Sequence, residues 1–151
     1  MTTICEEDRA LVLESYNSCK DQFPLIIADM LKRFVEQYPD ARRIFSWGKT
    51  DDYETNIRYK QHSIKIGSVI AECMASIQRI ESLQSKLEDI GDLHNKKNVQ
   101  LEYYKKMGVC LNEALQSHFG DKWSDRLDKA WSMAYDTITI FMLQRFWIGK
   151  F

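Results

Sequence analysis

Ser82-Leu-Gln-Ser-Lys-Leu-Glu-Asp-Ile-Gly-Asp-Leu-His94 carries Leu83, Leu87, Ile90 and His94 at i, i+4, i+7 and i+11. That spacing predicts a helix with all four on one face. The face is apolar until its last position, where an imidazole stands. A histidine so placed points into the core. It is either a satisfied core residue or a ligand to something buried, and the chain must supply the other half of the site.

A second inward imidazole precedes it. Over residues 53–80, Tyr59, Ile66, Val69 or Ile70, Cys73, Ile77 and Ile80 predict one long helix, with His62 on the same face near its start. Residues 48–52 read as a polar loop, with Thr50, Asp51 and Asp52 as candidate caps. Pro39–Ile44 is a short element that leads into Phe45-Ser-Trp47-Gly48.

Upstream, residues 6–20 place Val12, Tyr16, Cys19 and then Phe23 at helical spacing. The next helix opens near Pro24 and buries Ile27, Met30 or Leu31, and Phe34. It ends near Tyr38, because a proline restricts the residue before it. Downstream, residues 95–98 are irregular, and residues 100–118 form a helix with Tyr104, Met107, Leu111 and Leu115 inward and Gly120 as its stop. Asp121 or Ser124 starts a last helix bearing Leu127, Trp131, Tyr135, Ile138, Met142 and Phe146, which runs to about residue 148. Its end adds Phe141, Trp147, Ile148 and Phe151, to pack on the first helix or to form a homodimer or partner surface.

Two prolines and six glycines in 151 residues are too few for the turns that strands require. The expectation is an all-α chain, one domain over residues 1–151, with about seven to eight helices. At 44% hydrophobic and 28% charged it has the composition of a soluble folded protein. A net charge of −1 offers no electrostatic surface to nucleic acid. Cys5, Cys19, Cys73 and Cys110 include no C-x-x-C pair, and no secretory leader, lipidation motif or transmembrane segment is read. Reduced thiols and a cytoplasmic location are the expectation.

The third histidine, His118, lies beside Gly120 at a helix C-terminus, where a surface imidazole favours the dipole. His62 and His94 have no acid nearby in sequence to complete a zinc or catalytic set; Asp92 falls on another helical face. No Gly-x-Ser-x-Gly elbow and no Glu-x-x-His pair is present. Two imidazoles in a dry, aromatic-rich core suit an iron porphyrin better than a bare ion, since the macrocycle supplies four ligands and the protein only axial groups.

Pro39, Phe45, His62, His94, Trp131 and Tyr135, in that order over about residues 6–143, resemble the globin family, and within it the neuroglobin-like and nematode-type intracellular globins. Thirty-two residues separate the two histidines, a span that suits opposite sides of one haem. The resemblance implies a globin fold around buried haem b (iron protoporphyrin IX). His94 is then the proximal iron ligand, with its other ring nitrogen bonded to a carbonyl near Ile90. Phe45 stacks on the porphyrin, Leu31, Ile66, Val99, Tyr104 and Met107 wall the pocket, and Lys65 pairs with a propionate. The same apolar side chains also serve as plain core. Position 31 is leucine, not the tyrosine of many tight oxygen binders, and no cysteine lies between Phe45 and the long helix to form a redox disulfide.

His62 has two uses at such a haem. The neuroglobin-like resemblance and Lys65 favour direct ligation, giving a bis-histidyl haem for electron transfer or redox and gas sensing with a redox partner. The alternative is an open sixth position, where His62 hydrogen-bonds O2 in a carrier or store that also takes CO and NO. A third use is chemistry on NO or nitrite with a separate reductase. A cofactor-free helical scaffold is the plainest alternative.

Overall fold

The computed structural model of the chain describes residues 4–150, with side chains through Phe146. With so few breakers, the backbone satisfies its own N–H and C=O groups in α-helices. These are α1 (Glu6–Cys19), α2 (Phe23–Gln37), α3 (Ile57–Ala75), α4 (Gln84–Lys96), α5 (Leu101–Phe119) and α6 (Asp125–Lys150). Short 3-10 segments lie between them at Lys20–Gln22, Pro39–Ile44, Tyr53–Thr55, Ile77–Leu83 and Gly120–Lys122. The described residues contain no strand, and the expected seven to eight helices resolve into six α-helices and these 3-10 segments.

The helix expected over residues 53–80 divides. Asn56 Oδ1 accepts the backbone N–H of Arg58 at 2.8 Å. Asn56 is therefore the cap of α3, rather than Thr50, Asp51 or Asp52. At the far end, Arg79 takes a non-helical φ of −140° and ψ of 44°. Ile77 and Ile80 are still fully buried, so the apolar spacing runs straight through the break and does not report it. Arg9 of α1 fills the break, donating to the Ile77 carbonyl at 3.1 Å and pairing with Glu81. Because α4 begins only at Gln84, Ser82 and Leu83 belong to the 3-10 segment, while Leu87, Ile90 and His94 lie on α4.

The core joins α6 to α1, α4 and α5, and α2 to α3 and α5. Trp131, fully buried on α6, donates its indole N–H to Ser15 Oγ of α1 at 2.9 Å. It also stacks on Phe23 of α2 at 6.3 Å. Leaving that donor unpaired in the core would cost about 1–3 kcal/mol, so one side chain fixes three helices. Asn112 of α5 donates to Ser132 Oγ of α6 at 2.9 Å.

α4 is positioned by α6. A Cβ on buried Gly91 would stand 1.7 Å from the Met142 carbonyl oxygen, so the two backbones touch and only glycine fits. Arg145 reaches Asp89 at 2.8 Å and Asp92 at 2.6 Å across the same interface. These exposed pairs contribute little; the glycine contact sets the separation. α3 is braced instead by α2 and α1. The two histidine helices do not form a packed pair with one another.

No helix among the described residues is long and apolar enough to cross a membrane. Of the aromatic tail, Phe141 is buried and Met142 and Phe146 are partly buried. Trp147, Ile148 and Phe151 lie outside the residues whose side chains are described.

Gly91→Ala is expected to push α4 away from α6 and destabilise the fold by about 1–3 kcal/mol, the usual range for overpacking. Chemical denaturation measures this, and an unchanged midpoint would contradict the backbone contact.

Candidate functional site

His94 lies in the last turn of α4, partly buried. Its Nδ1 is 2.8 Å from the Ile90 carbonyl one turn back. A carbonyl only accepts, so Nδ1 carries the proton and Nε2 keeps a free lone pair. The His94 carbonyl accepts from the N–H of Lys97 at 3.1 Å and of Val99 at 3.2 Å, which ends the helix and folds Val99 back towards it. Tyr104 of α5 lies against the ring, 5.8 Å between centroids.

His62 on α3 has the opposite arrangement. The indole Nε1 of Trp47 donates to His62 Nδ1 at 3.1 Å. An indole N–H can only donate, so Nδ1 is the acceptor and, in the neutral ring, Nε2 carries the proton. Phe45 lies 5.4 Å from the His62 ring and stacks on Trp47 at 4.5 Å with 10° between planes.

Both rings are neutral at pH 7. Burial is the main cause holding the His62 pKa down to about 4, with the positive charges of Lys97 and Lys65, and that of His94 when it is protonated, adding to it. Burial likewise lowers His94, with Lys97 assisting and the Ile90 bond opposing. His94 and Lys97 both act on His62, which puts the two imidazoles in one region although they come from helices that do not pack together.

The globin family profile matches residues 28–142. The chain belongs to the globin family. It is similar to the crystal structure of the neuroglobin from the photosymbiotic marine acoel Symsagittifera roscoffensis, with a TM-score of 0.83 and 28% identity over 93% of this chain and 97% of that one. It is also similar to an anaerobic nitrite reductase of Solanum lycopersicum (25% identity, 88% of each chain) and to another of Gossypium hirsutum (26%, 88% of this chain and 85% of that one).

Globins are haem proteins, and the donor set of this globin fits that group. His94 offers a neutral imidazole with its Nε2 lone pair free, as an axial position requires. Phe45, Ile66, Ile90, Val99 and Met107 are partly buried apolar side chains, and Leu31 and Tyr104 are buried. Lys65, three residues after His62, is exposed, and its charge and that of Lys97 both act on His62.

Trp47 is the side chain that sequence reasoning missed. It is 1% exposed, in the Phe45–Gly48 stretch that leads into the loop read as polar, and no role was read for it. A lone tryptophan among Ser46, Gly48, Lys49 and Thr50 was the available signal, since a solvated turn has no use for an indole.

In 15N-histidine spectra of the haem-free protein, His94 is expected protonated at Nδ1 and His62 at Nε2. The folded His62 pKa lies below the unfolded 6.5, so the stability it contributes is full above pH 6.5 and is lost as pH falls towards about 4. His62 should therefore stay neutral at pH 5. The same tautomer on both rings, or an imidazolium His62 at pH 6, would contradict the geometry.

Proposed function

We propose that this globin holds haem b with His94 as the proximal iron ligand and His62 on the opposite side as a hydrogen-bond donor to a diatomic gas, O2, CO or NO. The observation that carries this reading is the pair of opposite tautomers. His94 has a lone pair at Nε2 and His62 has a proton there.

Bound haem would supply the iron at which a gas is held. The chain's own residues do the rest. The Ile90 carbonyl orients the His94 ring and, by accepting the Nδ1–H hydrogen bond, raises the basicity of Nε2. Leu31, Phe45, Ile66, Val99, Tyr104 and Met107 exclude water from the two imidazoles. Lys65 and Lys97 supply cations for the propionates. His62 presents Nε2–H to a polar bound ligand.

Direct ligation by His62, the first of the two modes expected from the sequence, requires a deprotonated Nε2. The Trp47 bond opposes that state, and gas binding is the reading we adopt over bis-histidyl electron transfer. A second reading, nitrite reduction with a separate reductant, rests on the names of the plant relatives and on the same Nε2–H, which could hand a proton to a bound oxyanion. Four unpaired thiols, three of them buried, support a reducing, cytoplasmic setting. We read residues 1–151 as one haem domain.

His94→Leu should abolish or strongly weaken haem retention. His62→Leu should retain haem but release O2 about tenfold faster, the loss of one hydrogen bond worth about 1.4 kcal/mol. Absorbance titration with hemin and stopped-flow O2 release test both. Normal coordination in His94→Leu would overturn the proximal assignment, and unchanged O2 release in His62→Leu would overturn the donor role.

A further inference from the structure

We infer that Trp47 selects the role of His62, keeping it a donor to bound ligand and barring it from the iron. This rests on the haem reading above and adds the residue that sets the coordination state. The indole is held on several sides. Trp47 is stacked on Phe45 at 4.5 Å, edge-on to Tyr59 at 4.9 Å and tilted to Tyr53 at 5.4 Å. The chain turns sharply beside it. The N–H of Gly48 donates to the Phe45 carbonyl at 3.1 Å, and a Cβ at Gly48 would stand 1.7 Å from the Arg42 carbonyl oxygen. Arg42 closes the turn, its guanidinium donating to the Thr50 carbonyl at 2.7 Å and covering the Tyr53 ring at 5.2 Å. The indole has no room to follow a moving partner.

Two routes could bring His62 to an iron, and both break its bond to Trp47. Ligation through Nδ1 uses the lone pair that the indole N–H occupies. Ligation through Nε2 requires the proton at Nδ1, where it would face the indole N–H donor to donor. Either leaves a buried indole N–H unpaired. A penalty of this kind changes an equilibrium about tenfold or more. Trp47 thus weights His62 towards the donor state by at least that factor, whereas an imidazole free of such a partner could shift its proton and ligate.

The plainer role for Trp47 is core packing, and the test separates the two. Trp47→Phe keeps an aromatic ring and removes the N–H. Site-specific benzothienylalanine at position 47 keeps the shape as well, with sulfur in place of the N–H, and serves if the phenylalanine variant does not fold. The reduced, ligand-free holoprotein should be five-coordinate and high-spin. Both variants should gain a six-coordinate, low-spin fraction, slow CO binding about tenfold or more, and return to five-coordinate when His62→Leu is added. Variants that stay five-coordinate with parental CO binding would show Trp47 to be packing alone and leave the haem reading standing. A parent already six-coordinate through His62, or one that takes up no haem, would instead remove the reading on which the inference rests.

Discussion

A neutral imidazole has two nitrogens and one proton, so the partner of one nitrogen dictates what the other can do. The protein uses this constraint twice with opposite sign. At His94 a backbone carbonyl accepts the hydrogen bond of Nδ1–H, which keeps the proton there and leaves a lone pair at Nε2. At His62 an indole fills the Nδ1 lone pair and leaves a proton at Nε2. Burial, which keeps both rings uncharged at neutral pH, is what makes the distinction matter, because an imidazolium donates from both nitrogens.

The helices serve to keep these two rings apart and turned inward. α4 is held by α6 through a backbone contact that tolerates no side chain at Gly91, three residues before His94. α3 is held by α1 and α2 and begins at the Asn56 cap, six residues before His62. Because each helix is braced from its own side, the pair need not pack together, and Ile66 of α3 and Ile90 of α4 are only partly buried. A bundle in which α3 and α4 packed directly would bury the same imidazoles as ordinary core residues.

Much of this was legible in the residues. Apolar stripes at helical spacing pointed His62 and His94 inward, and helix geometry puts a carbonyl one turn behind any helical histidine, which is where Ile90 stands. The order Pro39, Phe45, His62, His94 carried the family. What stayed hidden depends on tertiary contacts or on the course of a loop. The Trp47–His62 bond joins a turn to a helix, and its path is set by the Gly48–Arg42 contact, which no periodicity encodes. The Gly91–Met142 contact links residues far apart in sequence. The break near Arg79 was invisible because Ile77 and Ile80 remain buried across it. Among several polar residues before α3, only the one whose side chain meets the Arg58 N–H can cap, and that choice is geometric.

The most direct measurement is a crystal structure of the reduced, haem-loaded protein without added ligand. The prediction is His94 Nε2 on the iron with Nδ1 still at the Ile90 carbonyl, and His62 still bonded through Nδ1 to Trp47 with its Nε2 off the metal. An iron bound by both histidines, with the Trp47 bond broken, would contradict the account.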